Sequence, residues 1–403
     1  MCAAGKGWHG QGRHVPCWWL PGENREGQAS ITGNVGIRYR GKPVIQDDWF
    51  IMKGWLHVLF YPFGNPAIVP LGPFSRLKIA LVADELTRVC LLHECRVCDL
   101  TPLNYKYLLR LWKPDLLFVE SAWHGAGNAW KYRIASYPDH PEHSNRDLHK
   151  MVEYARNLGI PCLFWNKEDG VHYARFIDSA RLFDHVFTVD EGCLERYRES
   201  VPLNVTVNTL MFAVQPAIHR FTGFNFRHYR ANFVGSYSHH VHQNRRVWQD
   251  MMFAALRDAG LGLTVIDRNS DRRPGNYRYP AIDGMEIRPA LPHVKTAQVY
   301  KDYLVSLNVN TVQNSGTFYS RRLIEILACG GIAVTNSCKS VERYFRDFCH
   351  VIHDAEEAVD LFSRLKEGPS PNDLARAETG ARYVLSEHTW TRRLETVVQV
   401  VGI

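Results

Sequence analysis

Val305-Ser-Leu-Asn-Val-Asn310 is an apolar-rich run that leads into a polar loop, residues 311–317, and then into Phe318-Tyr-Ser-Arg-Arg-Leu-Ile-Glu-Ile-Leu-Ala-Cys-Gly-Gly331. The order reads as strand, loop and helix, with the helix closing on two glycines. A further apolar run, Ile-Ala-Val-Thr-Asn at 332–336, follows at once. A strand, a helix and another strand in so short a span form the repeating unit of a parallel sheet covered by helices.

Working outward, the same rhythm recurs from residue 78 onward. Strands are expected at 78–83, 96–100, 115–120, 161–166 and 185–190, with helices at 147–158 and 173–182. Within 147–158, Leu148, Met151, Val152, Ala155 and Leu158 keep helical spacing. The rhythm lapses at 215–230, which is aromatic, basic and contains Pro and Gly, and then resumes. Strands are expected at 231–237, 263–267, 285–290, 305–310, 332–336 and 350–353, and helices at 243–259, 296–304 and 320–328. The fold class is therefore α/β, with two Rossmann-like parallel-sheet domains facing across a cleft. The expected divisions are an extension at 1–75, a first domain at 76–214, a linker at 215–230 and a second domain at 231–403. Within the extension, 31–39 and 56–61 have strand character. Open parallel sheets bind ligands beyond the carboxyl ends of their strands, so functional residues are sought there.

At 403 residues and 45% apolar content the chain can bury two ordinary cores. No apolar run reaches the length of a membrane span, and a cytoplasmic location is expected. The ten cysteines are scattered and several sit in apolar runs, which suits a reducing compartment. The net charge of +7 is dispersed and fits anionic small molecules. No nucleic-acid-binding module is recognisable. A peripheral contact with a membrane surface is left open.

The helix at 320–328 carries the sharpest chemistry. Ser320 is placed to cap it, which puts Arg321 and Arg322 in the first turn. The positive end of the helix dipole disfavours cations there, so the pair calls for a bound anion. Helix N-terminal amides and guanidinium forks are both good phosphate ligands. Glu325 shares the face of the two arginines and is expected beside the phosphates, where a carboxylate suits ribose hydroxyls. The alternative is an ordinary Arg–Glu pair on a solvated face.

The run Asn308-Val-Asn310, Gly316-Thr-Phe-Tyr-Ser-Arg-Arg322, Glu325 and Ala328-Cys-Gly-Gly-Ile-Ala-Val-Thr335 resembles the donor-site helix of group 1 glycosyltransferases, in particular the CgeB-like (spore maturation protein) family. Asp115-Leu-Leu-Phe-Val-Glu-Ser-Ala-Trp-His-Gly125, Phe164-Trp-Asn-Lys-Glu-Asp169, Val186-Phe-Thr-Val-Asp190 and Asn232-Phe-Val-Gly-Ser-Tyr237 are similar to other stretches of that family. The resemblance covers about residues 76–400 and not the first 75. It implies a GT-B fold and a glycosyltransferase that uses a nucleotide-sugar as substrate, with no cofactor; Arg321, Arg322 and the helix N-terminus would neutralise the leaving diphosphate, so a metal-independent enzyme is expected. The donor would lie on the second domain and a hydroxyl acceptor on the first, for example a cell-surface glycan or spore-coat component. Asn310 falls within the donor motif, and Glu325 corresponds to the carboxylate that holds the ribose. A second glutamate common eight positions earlier is Thr317 here, so that residue would meet the donor sugar without a charge.

Gly235 and Ser236 end an expected strand where backbone amides can approach phosphate. Arg268 and Asn269 end the next one, a position that the resemblance places near the nucleotide. On the first domain, His124, Glu168 and Asp169 follow strands and are the candidates for the base that takes the acceptor proton, with His172 a weaker fourth. The run Gly125-Ala-Gly127-Asn-Ala-Trp130 starts like a dinucleotide fingerprint, but Trp130 fills the position of its last glycine. Cys90, Cys95 and Cys98 lack a second pair at zinc spacing, and no metal site is expected. His239, His240 and His242 read as a polar loop. Two rival functions remain, a nucleotide-sugar epimerase and a non-catalytic nucleotide-sugar- or glycan-binding protein.

Overall fold

The computed structural model describes residues 68–272 and 275–403. The expected strands at 31–39 and 56–61, and most of the 1–75 extension, lie outside the described residues.

The first sheet contains β1 (Lys78–Val82), β2 (Arg96–Asp99), β3 (Leu116–Glu120), β4 (Cys162–Asn166), β5 (His185–Thr188) and β6 (Thr206–Thr209), all parallel, in the order β2-β1-β3-β4-β5-β6. Its helices are α1 (Glu85–Leu92), α2 (Tyr105–Trp112), α3 (Arg146–Asn157), α4 (Tyr173–Ala180) and α5 (Leu194–Ser200). β3 and β4 are buried along their whole length because helices cover both faces, which explains their unbroken apolar runs.

The second sheet contains β7 (His228–Gly235), β8 (Leu263–Asp267), β9 (Met285–Pro289), β10 (Tyr303–Leu307), β11 (Ile332–Asn336) and β12 (His350–Ile352), again all parallel, in the order β12-β11-β10-β7-β8-β9. Around it lie α6 (Gln243–Asp258), α7 (Thr296–Asp302), α8 (Arg321–Ala328), α9 (Lys339–Tyr344), α10 (Ala355–Lys366), α11 (Pro371–Glu387) and α12 (Trp390–Val401).

Two strand positions differ from expectation for identifiable reasons. β7 begins at His228, inside the expected linker, because His228 pairs with Tyr303 of β10 despite its polar neighbours Tyr229 and Arg230. β10 ends at Leu307, short of the expected 310. The Asn308 N–H still bonds the Val334 carbonyl, but the Asn310 N–H bonds the Asn336 side chain in place of a backbone carbonyl, which ends the ladder.

The last helix returns to the first domain. Trp390, Leu394 and Val397 of α12 pack in the same cluster as Ile79, Leu81 and Phe118, and the Trp390 and Trp165 rings meet edge-on at 5.5 Å. Arg393 donates to the Met211 and Phe212 carbonyls. A second domain running to residue 403 does not foresee this crossing, because nothing in an amphipathic helix says which core it joins.

Candidate active site between the two sheets

The carboxyl ends of both sheets open on a cleft of about 540 Å³. From the first domain it is lined by Asp84, Trp123, His124, Lys167, Glu168 and His172, and from the second by Ser236, His242, Arg245, Arg268, Ser320, Arg321 and Arg322, among others.

The second-domain wall is a set of arginines. Arg321 and Arg322 occupy the first turn of α8 and Arg245 that of α6, and neither helix has an acidic residue in that turn. Both dipoles thus point at the cleft with cations beside them, an arrangement an anion would stabilise. Arg322 stacks over the Phe233 ring at 4.6 Å and bonds the Val234 carbonyl through Nε. Its Nη1 has no hydrogen-bond partner among the described residues, and neither has Arg245 Nε. Burial and then the facing Arg322 lower Arg245 to about 10, and burial foremost also lowers Arg322. Arg268 stands on the loop after β8, solvent-exposed within the cleft.

Gly235 makes room for this wall. A Cβ there would meet the Phe233 ring at 2.5 Å and Arg322 Nη2 at 3.1 Å. Ser320 stands at the N-cap of α8 in extended conformation, but its hydroxyl makes no capping bond. Asn310 Oδ1 instead accepts from the Ser320 backbone N–H at 2.8 Å, and the Ser320 side chain lines the cleft.

Five of the expected residues fall elsewhere. Glu325 is 5% exposed and lies beneath Arg321, away from the cleft lining. His293 Nε2 is 2.8 Å from its Oε1 and Arg321 Nε 3.0 Å. Burial alone would raise its pKa, but His219, His293 and Arg321 together hold the carboxyl well below its usual range. Thr317 does not reach the cleft: its hydroxyl donates to the Val189 carbonyl at 3.0 Å and accepts from the Glu191 N–H at 2.8 Å, closing the domain junction. Asn310 is buried on Asn336 and Thr335. Asp169 is fully buried, and its Oδ1 accepts from Asn166 Nδ2 at 2.7 Å and from the Tyr197 hydroxyl at 3.0 Å. Burial raises it to about 7, and it lies outside the cleft lining. Asn269 lines a smaller recess beside Arg272 and Tyr277, and its N–H bonds Asp267.

On the first-domain wall, Asp84 accepts from the backbone N–H groups of Trp123, His124 and Gly125 at 3.1, 3.0 and 3.0 Å, and so pins the loop that carries His124. Lys167 Nζ bridges Asp84 at 3.2 Å and Glu120 at 2.7 Å. Although burial raises Asp84, Lys167 and the three N–H groups bring it down to about 2. Burial raises Glu168, against the pull of Lys167. Burial lowers His124, and His172 to about 4. The indole of Trp130 is buried and donates to the Leu100 carbonyl at 2.7 Å, so the Gly125–Trp130 loop is no dinucleotide site.

His219, His293 and Glu325 bring ligand atoms within 4.8 Å of one another, as do His140, Glu142 and His143 on the surface. The Arg321 guanidinium beside Glu325 opposes a cation in the first cluster. The eight described cysteines are free and buried, with Cys98 inside β2 as expected.

Residues 271–399 match the glycosyl transferase-like family. No curated protein matches the chain significantly. Among solved structures, an alpha-glucosyltransferase in complex with UDP and a 13-mer DNA superposes with a TM-score of 0.57 at 10% identity, over 81% of this chain and 100% of that one. The chain is built on the GT-B fold. HepE of Anabaena with UDP and glucose gives a TM-score of 0.49 at 10% identity, over 81% of this chain and 92% of that one. A chain of the GtfA/B complex gives 0.41 at 11% identity, with 74% of this chain covering 59% of that one. In this GT-B chain the arginine wall belongs to the domain that holds the glycosyl transferase-like region, although Arg245 and Arg268 precede the matched residues.

Proposed function

We propose that the protein transfers a sugar from a nucleotide-sugar to a hydroxyl acceptor, and that it is a CgeB-like member of the group 1 glycosyltransferases. The observation that carries this is the convergence of Arg245, Arg268, Arg321 and Arg322 on one wall, with two guanidinium nitrogens lacking partners among the described residues. Such a wall suits a diphosphate, and its charge is most useful when the diphosphate leaves and its negative charge grows.

In the proposed reaction the acceptor oxygen bonds the anomeric carbon as the bond from that carbon to the diphosphate oxygen breaks. The electron pair departs with the nucleoside diphosphate, held by Arg245, Arg268, Arg321, Arg322 and the α8 N-terminus. Glu168 takes the acceptor proton, its raised pKa bringing it nearer the working pH of a base. His124 and His172 line the acceptor side and orient the hydroxyl. Glu325 acts through Arg321, which it fixes, in place of the ribose contact the family resemblance implies.

The test is product analysis with nucleotide-sugars, with and without a panel of hydroxyl acceptors. Acceptor-dependent release of nucleoside diphosphate supports transfer. An isomerised nucleotide-sugar formed without acceptor would make the protein an epimerase, and tight binding with no turnover would make it a binding protein.

A further inference from the structure

Helix α2 presents a face that the sugar-transfer reading does not use. Its buried side, Tyr105, Leu108 and Leu109, packs on the first sheet. On its other side Tyr107 and Leu111 stand four residues apart and are 43% and 76% exposed, and Leu103, in the turn that leads into the helix, is 65% exposed. Lys106, Arg110 and Lys113 are exposed alongside them, and none of the three has an ion-pair partner among the described residues. Residues 101–114 contain no carboxylate. A soluble helix face needs no bulky apolar residues in water, so the combination of an apolar stripe with unneutralised cations calls for a surface that is both.

The basic character continues next to it. Tyr105 at the start of α2 meets the Tyr154 ring of α3 edge-on at 5.8 Å, so the two helices adjoin there. Beside Asp147 lies a recess lined by Lys131, Arg133, Arg146 and Lys150, with Glu142 and His143. Arg133 is paired with Asp147, which leaves Lys150 without an ion-pair partner among the described residues. This recess is built from the start of α3 and from the end of loop 121–145, whose beginning carries Trp123 and His124 into the cleft.

We propose that the α2 face docks the protein on an anionic lipid bilayer. Leu103, Tyr107 and Leu111 enter the headgroup boundary while Lys106, Arg110 and Lys113 meet lipid phosphates, with the recess around Lys150 as a further headgroup contact. The apolar stripe favours a bilayer over a soluble polyanion, which would recruit the cations alone. Because loop 121–145 joins this face to the cleft, docking brings the acceptor side of the site toward the membrane surface.

The test is sedimentation of the full chain with phosphatidylcholine vesicles, with and without phosphatidylglycerol, and with duplex DNA as a competitor. The expected result is partition into the anionic vesicles only. Lys106→Gln, Arg110→Gln and Lys113→Gln together should weaken it by roughly a hundredfold, about fivefold for each charge. Leu103→Glu with Leu111→Glu should abolish it while leaving the thermal midpoint and nucleotide binding in place. The proposal is overturned if the wild type ignores anionic vesicles, or if the double glutamate variant still binds them. It is also overturned if DNA binds as well to that variant as to the wild type, or if light scattering shows a wild-type dimer that the variant splits, which would make the face an interface between copies.

Discussion

Arg321 and Glu325 form an ion pair across one turn of α8, Nε to Oε1 at 3.0 Å, with the carboxylate buried and a histidine on its other side. The pair ties the cleft wall to the core beneath it. Glu325→Gln removes the charge that Arg321, His219 and His293 surround, and breaking a buried pair this way should cost about 3 kcal/mol, read as a lowered thermal midpoint. If Glu325 acts by fixing Arg321, the variant loses affinity for a nucleoside diphosphate but discriminates a 2′-deoxyribose as the wild type does. Loss of that discrimination would return Glu325 to the ribose.

Gly235→Ala places a methyl against Phe233 and Arg322. Overpacking of this kind should destabilise by roughly 1–3 kcal/mol. Because the displaced neighbour is a cleft arginine, nucleotide affinity should fall as well, measured by calorimetry on the folded fraction.

Thr317→Val keeps the volume and removes both hydrogen bonds to residues 189 and 191. The expected cost is about 1–2 kcal/mol in denaturant unfolding. With the residue at the junction, the KM for the donor should change less than the stability does. A large change in donor sugar preference would instead place Thr317 in the sugar site.

Asp84→Asn probes the pinned loop through pH. The folded pKa of Asp84, about 2, lies below the ordinary aspartate value of 3.8, so the charged group stabilises the fold. That contribution is complete above about pH 4 and is lost as the pH falls toward 2. The variant should therefore be about 2 kcal/mol less stable at neutral pH, with the difference shrinking below pH 4 in acid-unfolding curves.

Much of this layout is legible in the sequence because parallel strands buried on both faces leave continuous apolar runs. β8 and β11 fall where their runs predict, at Leu263–Asp267 and Ile332–Asn336. Helices α1 and α2, and the longer α10, α11 and α12, have no counterpart among the expected elements, whereas the eight-residue α4 and α8 do, so helix length alone does not decide what the sequence shows. Arg321 and Arg322 announce themselves by standing against a helix dipole. Arg245 carries the same signal in the first turn of α6, where Gln-Asn-Arg-Arg opens the helix. Asp84 and Lys167 were not legible as partners, for their ion pair joins residues 83 apart. Asp169 and Thr317 were misplaced because following a strand, or filling a motif position, does not say which way a side chain turns.

The most direct test is calorimetric titration of the full chain with nucleoside diphosphates and the matching nucleosides, repeated on Arg322→Gln and Arg245→Gln. If the arginine wall holds the donor diphosphate, one diphosphate binds at least about a hundredfold more tightly than its nucleoside, and each variant loses roughly 1.5–3 kcal/mol of that preference, the weight of a hydrogen bond to a charged group. Binding of nucleoside and diphosphate with equal affinity, or no loss in either variant, would contradict the account.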